Sequence, residues 1–231
     1  MAVTGIILPS SRGAEREFVT KLARKEGIAV DENIHKAYAV LKLTSDLEEH
    51  NRLTSFFVAE TLTMFYKFRA LESVIKGYES DGYESAAYLG ALLSVELEEE
   101  RKRIYAATEG LECIAPESLL DLRLEELKEG WAGLNELGRM LLQQCSEGEE
   151  VYSLVPYFIT GEPLSPRLTV SGGERLRLTG GGTEKTVPAL TGNEERDLVT
   201  ALMRERPTHI VIRNREEISE KLLNTLRALG E

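Results

Sequence analysis

Pro207-Thr208-His209-Ile210-Val211-Ile212 contains the clearest strand of this chain, three β-branched residues in a row behind a proline that cannot continue a helix. On its N-terminal side, Asn193 is placed to cap a helix carrying Leu198, Leu202 and Met203. On its C-terminal side, Ile218, Leu222, Leu223, Leu226 and Leu229 recur at helical spacing. Upstream, residues 168–170, 176–178 and 183–187 read as short strands separated by Ser171-Gly172-Gly173 and Gly180-Gly181-Gly182. A β-rich segment followed by α-β-α, behind a long helical stretch, predicts the α+β class.

The N-terminus repeats this mixture on a smaller scale. Residues 3–8 read as a strand closed by Pro9, and Ser10 and Ser11 are candidate N-caps for a helix carrying Phe18, Val19 and Leu22 and ending at Gly27. Residues 37–43 read as a second strand. Two strands alone are marginal, and each terminal group leaves unpaired edges. The N-terminal and C-terminal strands are therefore expected to share one small mixed sheet beside a helical middle. The expected organisation is a single domain over 1–231, with subdivisions at 1–44 (strand-helix-strand), 45–160 (helical) and 161–231 (β-rich, then α-β-α).

Helical signals dominate from Ser45 onward. Ser45 with Glu48, and Asp46 with Glu49, have capping-box spacing. The helix that follows carries Phe56, Phe57, Val58, Leu62, Met64 and Phe65 on more than one face and is expected to be buried centrally, with a break at Asp81-Gly82. A third helix is expected over 85–107, stopped by Gly110. Within it, Glu98 to Lys102 and Glu99 to Arg103 are i, i+4 pairs, which reads as a solvated face; no neighbouring histidine points to a metal site. Pro116 is placed to open a fourth helix whose residues Leu120, Leu124, Leu127, Trp131, Leu134, Gly138, Leu141 and Cys145 form a seam suited to shallow helix packing. Residues 151–160 favour a strand by propensity and a helix by the spacing of Leu154, Tyr157 and Phe158.

Composition narrows the function classes. The chain has 231 residues, 42 % hydrophobic and 29 % charged, ordinary for a globular protein with a real core. Twenty-eight basic against 39 acidic residues give a net charge of −11, which disfavours general nucleic-acid binding. The two cysteines, Cys113 and Cys145, cannot form a disulfide framework, and Cys145 falls on an apolar helix face, which reads as a buried, inert thiol. No apolar stretch approaches the roughly 20 residues of a membrane span, and the first residues lack signal-peptide features. A soluble cytoplasmic chain without a cofactor is expected.

Several motifs fail on context. Ser171-Gly172-Gly173-Glu174 matches the signature loop of ABC-transporter ATPases, but an alternating strand follows it and no GxxxxGK[ST] occurs. Gly180-Gly181-Gly182-Thr183 precedes a strand rather than a helix, which favours a turn over a phosphate cradle. His35, His50 and His209 lack metal-ligand spacing, and no serine has a nucleophile motif. The remaining candidate anion-binding residues are Arg123, Arg204, Arg206, Arg213 and Arg215. For the last four, solvent exposure and pairing with glutamates is the favoured reading. Arg123 is expected to snorkel or to pair with Asp197 or Glu125.

Leu119-Leu120-Asp121-Leu122-Arg123-Leu124-Glu125-Glu126-Leu127 resembles the F-R-L-k-e-Y segment of the YtxC-like sporulation proteins, with Leu122 and Leu127 in place of the aromatic residues. Glu149 to Ile159 is similar to that family's next segment, interrupted by Pro156. The acidic Glu195-to-Leu202 helix, the strand behind Pro207 and Leu223-Asn224-Thr225-Leu226 follow in the family's order. The resemblance covers about the C-terminal half. It implies a cytoplasmic protein of endospore-forming bacteria, transfers no catalytic residue, and favours helix over 151–160. Three function classes follow: a non-enzymatic sporulation-associated interaction protein with a protein partner, a small-anion or nucleotide-binding regulator using the arginines, and an enzyme built from distant carboxylates.

Overall fold

The computed structural model describes residues 2–76, 78, 83–145 and 148–230. The chain runs through β1 (Ala2–Pro9), α1 (Gly13–Lys25), β2 (Ala29–Ile34), β3 (Tyr38–Ser45), α2 (His50–Thr61) and α3 (Lys67–Leu71). Next come α4 (Glu84–Ser94), α5 (Leu97–Thr108), β4 (Cys113–Ile114), α6 (Pro116–Arg123), α7 (Glu125–Leu142) and α8 (Gly148–Phe158). The last third holds β5 (Arg167–Ser171), β6 (Arg177–Gly180), β7 (Thr183–Glu184), α9 (Glu194–Arg204), β8 (His209–Arg213) and α10 (Glu220–Ala228). The architecture is α+β. It divides into two compact units, one of Met1–Lys67 with Glu96–Ala132 and the other of Phe68–Val95 with Gly133–Glu231.

The first unit is built on a sheet of order β2-β3-β1-β4. β1 and β3 are antiparallel, with Ala2 opposite Ser45 and Pro9 opposite Tyr38, while β4 adds a short parallel pairing at Gly5 and Ile6. Strand alternation puts Thr4, Ile6 and Leu8 on the buried face of β1 and Leu41, Leu43 and Ser45 on that of β3. Phe18 and Val19 of α1 and Phe57 and Val58 of α2 complete the apolar core, with Phe18 and Phe65 edge to face at 5.3 Å. α2 does not stop at Thr61 but widens into a π turn, Leu62–Tyr66. There the hydroxyls of Thr61 and Thr63 donate to the carbonyls of Phe57 and Ala59, both at 2.7 Å, and so compete for helix acceptors.

Charge is buried at the end of this π turn. Lys67, fully buried, donates to Glu100 Oε1 at 2.8 Å, and the indole N–H of Trp131 donates to the same oxygen at 2.8 Å. Arg101 forks onto Glu60 Oε1 beside this pair, its Nε at 2.8 Å. The run Glu98-Glu99-Glu100-Arg101-Lys102-Arg103 is therefore not one solvated face. Lys102 does meet Glu99, and Arg103 meets Glu126, but Glu100 and Arg101 turn inward. A helix presents a new direction every 100°, and at two of these positions the direction is the core.

The second unit carries the other sheet, of order β7-β6-β5-β8. β5 pairs antiparallel with β6 and parallel with β8, Leu168 opposite Ile210 and Val170 opposite Ile212. α4 is buried on every side, and Gly90 permits the close approach of α9: a Cβ there would lie 2.5 Å from the Thr200 carbonyl oxygen. Tyr88 donates to the Gly138 carbonyl at 2.9 Å and stacks edge on against Phe158. Asn193 caps α9 by accepting from the Arg196 N–H, and Ser219 caps α10. Gly181 and Gly182 adopt positive φ in the tight β6–β7 turn, so this glycine run is a turn.

Several expectations need correction. The terminal strands do not share a sheet. Each group finds its missing partners within its own unit, and β2 was illegible because its Ala-Val-Asp-Glu-Asn-Ile side chains are mostly exposed on an edge strand. Neither Ser10 nor Ser11 caps α1, which Arg12 precedes without a side-chain cap; Ser10 instead donates to the Lys36 carbonyl at 3.0 Å. The capping boxes at Ser45 and Asp46 do not form, because β3 extends to Ser45 and α2 starts only at His50. The helix expected over 85–107 breaks where Val95 is extended and Glu96 is left-handed, with no glycine or proline to announce it. The seam breaks at Leu124, although Leu120, Leu124, Leu127, Trp131 and Gly138 are all buried. Residues 151–158 are helical, with Pro156 inside α8. Cys145 is half-buried rather than buried, and desolvation pushes its thiol pKa up. The break at Asp81-Gly82 lies outside the described residues.

Removing one member of a buried ion pair strands the other charge, at a cost of about 3–5 kcal/mol. Lys67→Met should therefore lower the urea midpoint strongly. Adding Glu100→Gln, which keeps an acceptor for Trp131, should recover most of the loss. Equal destabilisation by the single and double variants would contradict this placement of the charges.

Candidate functional site

Thr4 and Ser45 lie on the same buried face of the β1–β3 pair. Ala2 is opposite Ser45 and Leu43 is opposite Thr4, so the two hydroxyls are diagonal neighbours. Such positions are about 7–8 Å apart, a gap that a flat ring can bridge. His50, the first residue of α2, fills it. Its Nδ1 is 2.8 Å from Ser45 Oγ and its Nε2 is 3.0 Å from Thr4 Oγ1, and the residue is 1 % exposed. One imidazole thus fastens β1, β3 and the start of α2. Thr54 donates back to the His50 carbonyl at 2.9 Å and locks the first turn behind it.

Thr4 is also among the residues that line a cavity of about 380 Å³ within the first unit. α2 supplies Asn51, Arg52, Thr54 and Ser55 to its wall, and α5 supplies Tyr105 and Thr108. Glu109, Gly110 and Leu111 continue the wall to Ile114 of β4. Thr108 Oγ1 lies 2.8 Å from Ser55 Oγ and ties the end of α5 to α2. Arg52 holds Glu49 at 2.8 Å on an exposed surface, a weak pairing that a ligand can exchange. Burial raises the Tyr105 pKa, keeping its phenol a donor at neutral pH. The Thr54 and Thr108 hydroxyls already donate to the His50 carbonyl, to Ser55 and to carbonyls of α5, so the donors the wall can offer are the Ser55 hydroxyl, the Tyr105 phenol, the Asn51 amide and the Arg52 guanidinium, with Glu109 as its carboxylate. The volume suits a small metabolite.

The five arginines singled out in the sequence do not assemble here. Arg123 belongs to the first unit but is exposed and donates to the Ala107 carbonyl at 3.2 Å, pairing with neither Asp197 nor Glu125 as expected. The other four belong to the second unit. Arg204 and Arg206 are buried rather than solvent-exposed, Arg206 donating to the Thr160 carbonyl at 2.5 Å, whereas Arg213 and Arg215 are exposed. Glu205, the neighbour of Arg204 and Arg206, is a structural anchor. Burial would raise its pKa, but hydrogen bonds from Lys185 and Ser165, at 2.8 and 2.6 Å, outweigh it and hold the carboxyl below the usual range.

Asp197 is buried, and desolvation raises its pKa, as a carboxylate-based enzyme would need. Its oxygens, however, accept from the Leu190 N–H and from the N–H and hydroxyl of Thr191, so it fastens the loop before α9. No group of three His, Cys, Asp or Glu residues suited to a metal occurs among the described residues. No described helix is long and apolar enough to cross a membrane. The Thr4–His50–Ser45 arrangement had no sequence signal, because its members are 46 and 5 positions from the histidine that joins them.

No family model matches this sequence, no curated protein matches it, and no solved structure matches its fold.

Desolvation lowers the His50 pKa from its ordinary 6.5. As pH falls through 6.5 the unfolded chain takes up this proton before the native protein does, so stability falls with pH below that point. The melting temperature should decline from pH 6.5 downward, and the decline should be shallower in His50→Gln. Identical slopes would contradict a buried neutral imidazole.

Proposed function

We propose that the first unit binds a small polar ligand rich in hydrogen-bond acceptors, in the cavity faced by Thr4, Asn51, Arg52 and Tyr105. The observation that carries this reading is a volume of about 380 Å³ lined by Asn51, Arg52, Ser55 and Tyr105 as donors and by Thr4, whose hydroxyl is hydrogen-bonded to a buried ring. It takes up the small-anion alternative but moves it from the arginines of the sequence reading to Arg52. A thermal-shift screen against metabolites and nucleotides tests it, since a ligand at 100 times its Kd stabilises a fold by about 2.7 kcal/mol. A hit should survive Arg213→Ala and be lost in Arg52→Ala and Thr4→Val. A hit with the opposite pattern would place the ligand elsewhere.

A second reading is a non-enzymatic, cytoplasmic interaction protein of the YtxC-like sporulation kind. What favours it is that Leu122 and Tyr157, 82 % and 74 % exposed, lie in two of the segments that carry the resemblance. Leu122→Glu and Tyr157→Glu should leave the melting temperature unchanged and abolish retention of one defined protein that the wild type retains from sporulating cells. Retention of that protein by both variants would sink this reading.

A further inference from the structure

We propose that the cavity takes an oxyanion, a carboxylate or a phosphate group, together with a proton that resides on His50. This rests on the ligand-binding reading above and adds the ligand's charge and its coupling to pH.

The donors and acceptors around the His50 ring constrain its two hydroxyl neighbours. A neutral imidazole has one N–H and one lone pair, so Thr4 and Ser45 must be oriented oppositely, one donating to the ring and one accepting from it. An imidazolium has two N–H groups, and both neighbours are hydroxyls, which accept as readily as they donate. The charged ring is therefore satisfied in the same geometry, with no side chain displaced. Its Nε2–H then occupies an acceptor site of Thr4, and the Thr4 proton must turn to another acceptor. Thr4 lines the cavity, and in this proposal that acceptor is a ligand atom. A positive ring directly behind a residue of the cavity wall favours an oxyanion over a neutral group.

The surroundings leave the ring neutral until such a ligand arrives. β1 carries no titratable side chain, and Lys42 of β3 lies on the face opposite Ser45. Asp46, beyond β3, is exposed. On α2, Arg52 and Glu49 pair with each other, and α1 meets the helix farther along, where Phe18 packs on Phe65. From α5 and the loop after it come Tyr105, a neutral phenol, and Glu109, which is exposed. Burial then lowers the ring's affinity for a proton. An anion on Thr4 supplies the missing countercharge, and by linkage the proton tightens the anion as much as the anion tightens the proton.

The test is an NMR titration of the His50 imidazole in the full chain, alone and with 50 mM sulfate or 50 mM formate, neither of which titrates between pH 5 and 8. Expected is a His50 pKa below 6.5 in the free protein, raised by about one unit or more by an anion. One unit corresponds to a tenfold tighter anion complex at low pH than at high pH. Sulfate acting alone identifies a phosphate-like ligand, and formate acting alone a carboxylate. In Thr4→Val the anion should no longer shift His50, and in His50→Gln, whose amide can serve both hydroxyls, anion affinity should be independent of pH. An anion that perturbs the Thr4 and Thr108 signals while the His50 pKa stays fixed would overturn the proton coupling and leave the cavity reading standing. If neither anion perturbs those signals at pH 5.5 or 7.5, the oxyanion assignment is wrong. The ligand-binding reading then stands or falls on whether the screen finds a neutral ligand that Thr4→Val loses.

Discussion

One imidazole hydrogen-bonded on both sides holds the first unit's site together. His50 stands where two strands and a helix begin or end, and each of its nitrogens meets a hydroxyl from a different strand. A buried ring with one unmet nitrogen would cost about 1–3 kcal/mol, so the pairing fixes the register of β1 against β3 as well as the entry of α2. The same ring sets the direction of Thr4 and hence the polarity of the cavity wall. Fold and candidate site meet at this residue, and in the proposed coupling a change in its protonation would reach a ligand without any movement of backbone.

The first unit carries a second polar constraint in its core. Glu100 accepts from Lys67 and Trp131, and Glu60 is forked by Arg101, so four charges sit in or near the interior in neutral pairs. Buried ion pairs add little net stability compared with apolar side chains of the same volume. Their effect is directional: Lys67 and Trp131 meet on one oxygen of Glu100, which ties α5 to the residue after the π turn and to α7. The π turn before Lys67 belongs to this arrangement, since it sets the turn from which Lys67 reaches Glu100.

Much of the fold was legible because its signals are local. β1, β5 and β8 follow β-branched residues, β6 follows the alternating Leu176-Arg177-Leu178, α1 ends at a left-handed Gly27, Pro116 opens α6, and Asn193 caps α9. What was missed depends on partners distant in sequence. β2 is an exposed edge strand whose polar composition resembles a loop. The break at Glu96 uses a non-glycine left-handed residue, which local propensity disfavours. Ser45 has the side chain of a cap but spends it on the His50 ring, so the capping box was a false signal. The candidate site was illegible for the same reason. Its hydroxyls come from β1, α2 and α5, and only the tertiary fold puts them around one volume. The arginines, by contrast, were conspicuous by spacing alone, and Arg204 and Arg206 proved to be interior.

The hydrogen-bonded state of His50 is open to direct observation. A long-range proton–nitrogen spectrum of the imidazole at pH 8 should show a single neutral tautomer, with one nitrogen protonated, the other accepting, and an N–H that exchanges slowly with water. A ring averaging between tautomers, with an N–H lost to rapid exchange, would contradict the buried bridge between Thr4 and Ser45. With it would go the physical basis for the site.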